Sequence, residues 1–590
     1  MNPRPFLAFL LASASLMAQA PEDMLPASSY GYLSFAGTGA AARAAREMPA
    51  RDLVRSVLDA LPEDVRQGVV EARLEQAADV VERGLRELGV GPATLRSLLQ
   101  RPMAIGVGRL TLGGMGLSVA LLIDCKEHGD DVEAMAGALF DLAKRRVRDL
   151  AAEDVEFAGA RLCAIKRTGE PMFDLLAGRI GDYWVLTNSR GYLREIADVM
   201  SGAKHGITRV PSVSESRGRS PALASCFLNT GPSLSVLEPH LPYEAAAVGE
   251  ALGLSGLDGV YAELSASSSG GRQLLHFGLA GNPEGLLKTA FRGPLTFEAA
   301  KWCSPKAACF ATASMDLAAI EPAFEAFSEA LPLWMRSRLN AAWRGAGRGL
   351  RRSGIDRAEL ERLFGALGPR VSLAVDLAPL PIPIPEPLLF VEVRDWEVVK
   401  PWLDRLEDSV ARAAGSEWRV REANGASIRY CEVRPEGGIR LAPCYVHRDG
   451  MLVISSQVQN LLSALGRHAD PSGGSLFTEP DFAAAVQANP HANAFAHLRW
   501  FQAAEIGWRF VETNAGRILD AKADEIGFGS EVLPDRDTVA KALGACTIAA
   551  RINRSGVTLV STGSLGAASW LAACCACIDE ILARAAGRIF

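Results

Sequence analysis

Leu121-Leu122-Ile123 and Leu388-Leu389-Phe390 open two series of residues that run in step along the chain. After each comes a helix's length of sequence. Then follow Gly159-Ala160 or Gly425-Ala426, Asp182 or Asp449, Trp184-Val185-Leu186 or Leu452-Val453-Ile454, and finally Phe227 or Phe495. Each member of the second series lies 266–268 positions after its counterpart. A period of that size is a domain, far longer than the roughly 20–50 residues of a solenoid repeat. The reading is therefore tandem duplication, with halves at 21–300 and 301–590 and a seam near residue 300. Hydrophobic pattern and turn chemistry recur; no polar constellation recurs with them.

Working outward from that pair, apolar alternation marks strands and a three-to-four spacing marks helices. In the first half strands are expected at 30–35, 104–112, 117–123, 155–167, 173–187 with a bend or break at Gly181-Asp182, 224–228, 259–264 and 273–279, and helix is expected through 50–99, 130–149 and 189–200. Gly113-Gly114 reads as a hairpin turn, and Asn188 or Ser189 as a helix cap. In the second half strands are expected at 308–312, 370–377, 388–393, 427–432, 451–455, 492–498, 545–553 and 557–562. Helices are expected at 316–330, 397–414, 458–465 and 567–586, the third capped by Ser455 or Ser456. Alternating prolines from Pro379 to Pro387 read as a stiff loop, since proline cannot donate to a ladder. The order strand, helix, strand, strand, helix, strand inside each half is the ferredoxin-like β-α-β-β-α-β pattern. The fold class expected is α+β: two related halves, each an antiparallel or mixed sheet with helices on one face.

The chain has 590 residues, which is too long for one core. Its net charge of −6, with acids and bases interspersed, speaks against general nucleic-acid binding. Arg4, an apolar run from Phe6 to Met17 and Ala18-Gln19-Ala20 have the layout of a secretory signal peptide spanning 1–20. The run is too short to cross a bilayer, and so is Ala567 to Ile578. The expectation is an exported protein, periplasmic or secreted, cleaved near Ala20 and without a transmembrane segment afterwards.

Eleven cysteines form no disulfide framework by spacing. Cys431 with Cys444, and Cys303 with Cys309, are local pairing candidates; most of the eleven read as small buried hydrophobes. Gly37-Thr38-Gly39 leads from a strand into a helix as a dinucleotide turn does, but position 42 is alanine and no terminal acid follows at the right distance. It reads as a permissive turn. Of the eight histidines, only His491 and His497 lie close together, and no ligand spacing supports a metal. Cys574, Cys575 and Cys577, with Asp579 and Glu580, crowd one helix and read as packing. The arginines at 336, 338, 344, 348, 351, 352 and 357 form the best basic patch and read as a solvated helix face. No catalytic, cofactor-binding or metal residue is assigned.

Three features resemble a group of exported bacterial proteins of unknown function: Leu25-Pro26-Ala27 before a strand, the block from Leu388 to Asp404 with the Gly-Ala hairpins, and Asp449-Gly450-Met451-Leu452-Val453-Ile454-Ser455-Ser456 before a helix. The resemblance implies an exported, duplicated α+β protein and carries no catalytic residues. Three readings follow. The first is a non-catalytic binding or structural protein of the cell envelope, its ligand and partner unknown. The second is a carrier of a hydrophobic ligand in a cleft between halves. The third is a hydrolase-type enzyme whose site, assembled from residues such as Asp182, His240 or His497, sequence does not reveal.

Overall fold

The computed structural model describes residues 20–587, apart from 111–115, 127–128, 147–149, 168–169, 219–220, 238–242, 255, 268–269, 283, 291–292, 332, 338–356, 379–383, 434–440, 471–473, 527 and 565. The first ten strands are β1 (Gly31–Phe35), β2 (Met103–Leu110), β3 (Leu117–Asp124), β4 (Leu150–Phe157), β5 (Ala160–Arg167), β6 (Glu170–Ile180), β7 (Tyr183–Thr187), β8 (Ala222–Asn229), β9 (Leu257–Ser267) and β10 (Gly270–Leu279). The next ten are β11 (Cys309–Ser314), β12 (Leu367–Ala378), β13 (Ile384–Val393), β14 (Trp418–Ala423), β15 (Ala426–Cys431), β16 (Cys444–Arg448), β17 (Met451–Ser455), β18 (Ala494–Arg499), β19 (Ala545–Asn553) and β20 (Gly556–Gly563).

Their pairings build one mixed α and β architecture around a large antiparallel sheet. The first ten lie in the order β4-β5-β6-β7-β3-β2-β1-β8-β9-β10. The second ten lie in the order β14-β15-β16-β17-β13-β12-β11-β18-β19-β20, the same sequence of neighbours. The two runs meet edge to edge where β10 pairs with β20, from Gly271 opposite Gly563 to Gly278 opposite Gly556.

Several expectations need correction. Between the helices Gly129–Arg146 and Arg190–Met200 there are four strands, not two. The turn Ala158-Gly159, with both residues at positive φ, folds one expected strand into the hairpin β4–β5. Gly181, also at positive φ, separates β6 from β7 at the break expected there. The Gly113-Gly114 turn lies outside the described residues. Pro385 and Pro387 are not loop: they stand in β13 opposite Leu377 and Val375. β17 pairs with β13 only from Leu388 onward, so at both prolines no ladder donor is needed on that edge, where the Pro387 and Glu386 carbonyls accept the Ser455 and Asn460 side chains instead. Of the two expected cap residues Ser189 caps its helix, accepting from the Tyr192 amide, whereas the helix Val458–Ala469 is preceded by Gln457 without a side-chain cap.

Helices also lie on both faces of the sheet rather than one. Leu122, Val185 and Phe227 pack against Tyr192, Leu193 and Ile196 of the helix Arg190–Met200. Phe390, Val453 and Phe495 pack likewise against Leu461 and Leu465 of the helix Val458–Ala469 and against Phe482. On the opposite side Val393 and Leu452 meet Val399 and Leu403 of the helix Trp396–Ala414. There too Ile123 and Trp184 meet Val132 of the helix Gly129–Arg146. The cause is in the strands. Leu121-Leu122-Ile123 and Leu388-Leu389-Phe390 are apolar at consecutive positions, so both faces carry hydrocarbon that water disfavours.

Candidate ligand-binding face

Cross-strand partners share a face of a sheet, so the register shows what each face carries. One row runs Leu122, Ala104, Ser34, Ser225, Glu263, Leu274, Val560, Ala549, Phe495, Thr312, Ser372 and Phe390. All but Val560 are buried. The polar members are paired: Ser34 with Ser225 at 2.8 Å, Ser372 with Thr312 at 2.8 Å, and Glu263 with the Tyr261 hydroxyl at 2.7 Å. This is the closed face, and it contains the main core.

One residue further along each strand lies the row of the opposite face. It reads Leu121, Ile105, Leu33, Cys226, Ala262, Leu275, Leu559, Ala550, Ala494, Ala313, Val371 and Val391. Every member is apolar, yet none is buried; Leu33 is 55% exposed, Ile105 41% and Leu559 38%. Leu117, Val119, Leu228, Leu373 and Ile548 are exposed large hydrophobics of the same strands. At a strand spacing near 4.8 Å, twelve strands make an apolar row roughly 50 Å wide, whose end members Leu121 and Val391 lie against flanking helices.

Among the described residues, helices frame this face without closing it. Ala41 of the helix Thr38–Glu47 and Ala572 and Cys575 of the helix Ala567–Gly587 pack over Leu223, Phe35 and Ala266. The helices Gly129–Arg146 and Trp396–Ala414 cover the two flanks. Between them a cavity of about 350 Å³ opens over β11, β12, β18 and β19, floored by Ala311, Ala313, Val371, Leu373, Ala494, Ala496, Ile548 and Ala550, with Met315 beside them. A second, of about 220 Å³, is lined entirely by Leu252, Leu254, Phe277, Leu286, Leu287 and Val557 at the seam. The alanines make the first floor concave, and its side chains offer an aliphatic ligand contact without a hydrogen-bond demand.

The sequence candidates fall elsewhere. His497 is buried in the closed face, its Nδ1 2.9 Å from the Thr547 hydroxyl and its Nε2 3.3 Å from Asp481. Arg499 donates to the same carboxylate at 2.8 Å. Burial pushes the Asp481 carboxyl up, but the His497 and Arg499 contacts outweigh it and hold it down at about 2. His491 is exposed and is not joined to His497 in a metal site; among the described residues no group of three His, Cys, Asp or Glu could hold one. Asp182 sits in the exposed turn between β6 and β7. His240 and the arginines from 338 to 352 lie outside the described residues. All eleven cysteines are free thiols. Cys431 and Cys444 lie on neighbouring strands, but their sulfurs approach the Ser416 and Ser455 carbonyls instead. Cys575 is buried, whereas Cys574 and Cys577 are exposed; Asp579 receives Arg96 and Gln100. Gly37 has φ 90°, and a Cβ there would fall 2.2 Å from the Gln100 carbonyl oxygen, so its glycine serves a close backbone approach.

No family model matches the chain, and no curated protein matches it. Among solved structures, crystal form III of TP0453 is similar over 44% of this chain and 80% of that one, at 10% identity and a TM-score of 0.22. No helix among the described residues is long and apolar enough to cross a membrane.

Proposed function

We propose that this is an exported, non-catalytic binding protein of the cell envelope, made of two copies of one α+β unit, whose open apolar sheet face takes an aliphatic chain. The observation that carries the reading is the row of twelve apolar residues, none of them buried. Exposed apolar surface of that extent marks an interaction site in a folded protein. The common strand order of residues 31–279 and 309–563 supports the duplication. The layout of residues 1–20 supports export. The alanine floor favours a bare hydrocarbon over a polar molecule, because it presents no side-chain donor or acceptor to orient one.

Titration with a fluorescent polyene fatty acid tests the reading. Saturable uptake by the folded protein is expected. Each buried methylene contributes about 0.8 kcal/mol, so competing saturated chains should bind roughly fourfold tighter per added carbon until the cavity is full. Ala496→Phe, which fills the floor between Ala311 and Ile548, should abolish that gain. Absence of uptake, or affinity indifferent to chain length, overturns the proposal. N-terminal sequencing of the protein from a bacterial periplasm should begin near Pro21; a retained Met1 overturns the export reading.

A further inference from the structure

The closed face carries a cavity of its own, about 380 Å³, where the two runs of strands meet. It draws Arg217 and Arg272 from the first run's side and Arg551 from the second, and among its described lining residues Glu215 is the one acid. Two of the arginines are anchored from behind. Arg272 gives one nitrogen to the buried Glu263 at 3.1 Å, and Arg217 reaches Glu22 and Asp23 at 3.0 Å each. Gly218 permits this packing: a Cβ there would lie 2.6 Å from Glu263 and 2.8 Å from Arg272.

Arg551 is different. It has no ion-pair partner among the described residues, and its Nε is buried without a hydrogen bond. Thr558, which lines the same cavity, is the cross-strand neighbour of both Arg551 and His276. Its hydroxyl lies 2.9 Å from His276 Nδ1, while His276 Nε2 is buried with no partner. Burial and the nearby Arg551 charge both lower the affinity of that imidazole for a proton. A buried cationic donor left unsatisfied is costly, and an oxyanion is the ligand that relieves it.

We propose that this seam cavity binds a small organic oxyanion, a carboxylate or a phosphate monoester, through Arg551 and the Arg272 nitrogens that Glu263 leaves free. Calorimetric titration of the full chain with inorganic phosphate and, separately, with succinate at low salt is the test. Saturable binding of either is expected, weakening as salt rises, and the anion that binds names the source chemistry. Arg551→Gln should weaken it about tenfold or more, as loss of a charge-assisted hydrogen bond implies. Uptake of the fluorescent fatty acid by the same variant should stay unchanged, which shows that the chain is folded and that the two cavities are independent. No saturable heat from either anion up to about 10 mM, or equal binding by Arg551→Gln, overturns the proposal.

Discussion

Two aspartates on the closed face pull the pH dependence of stability in opposite directions. Asp481, paired with His497 and Arg499, titrates at about 2 in the folded chain instead of its ordinary 3.8. Its contribution is fully present above pH 4 and is lost as pH falls through about 2. That contribution is on the order of 2 kcal/mol. Asp481→Asn should therefore lower stability at pH 7, and the loss relative to the native chain should shrink between about pH 4 and pH 2. Asp376 is the reverse case: burial raises its carboxyl to about 6, Arg467 offsets only part of this, and its Oδ1 has no partner. The unfolded chain ionises that group first, so stability falls as pH rises from about 4 to about 6 and stays lower above. Asp376→Asn should raise stability at pH 7 by on the order of 2 kcal/mol while changing nothing at pH 3.5. Urea unfolding of each variant across the pH range checks both; an unchanged Asp376→Asn midpoint at pH 7 would contradict the second. Neither aspartate stood out in the sequence. Their surroundings come from strands and helices distant in the chain, so no local spacing signals them.

At the scale of elements, the strand-to-helix turn after β1 shows what a motif can and cannot say. Gly37-Thr38-Gly39 has the look of a nucleotide turn, but the two glycines do unequal work. Gly37 is at φ 90° and its missing Cβ leaves room for the Gln100 carbonyl, whereas a Cβ on Gly39 would meet side chains in ordinary contact, Gln100 at 3.5 Å and Arg43 at 3.8 Å. Gly37→Ala should cost about 2 kcal/mol or more. Gly39→Ala, inside the helix Thr38–Glu47, should gain up to about 1 kcal/mol. Denaturant midpoints decide it, and equal effects would refute the argument. The sequence placed β17, β19 and the last helix almost to the residue, because each is bounded by sharp turn chemistry. It passed over β14, β16 and the helix Trp500–Ala521. β14 is exposed along its middle, Arg419 to Glu422, with Val420 its one apolar side chain there, so the edge of the sheet offers little apolar alternation to read. The candidate face was legible only in part. Strands apolar at successive positions imply hydrocarbon on both sides, but covering helices for both sides are the usual sequel, and nothing local tells a covered face from an open one.

For the whole molecule, the seam between β10 and β20 is the informative joint. If the hairpins β9–β10 and β19–β20 are matched at their turns, Leu274 corresponds to Val560, and those two residues are directly opposite in the ladder. The pairing is thus close to the symmetric contact that two identical edges would make. The cavity proposed to bind an anion sits at this same joint, lined by Arg272 of β10 and Arg551 of β19. An unpaired β10 edge, rich in Leu274, Leu275 and Phe277, would template pairing with another strand. The first half made alone, residues 21–300, is therefore expected to associate as a dimer through β10, with Leu274 opposite its own copy. Leu275→Pro, which removes a backbone donor from that edge, should return it to a monomer. Light scattering of both fragments measures this. A monomeric first half that retains its circular-dichroism signal would show that the seam is specific to β20 and would count against an origin in two identical edges.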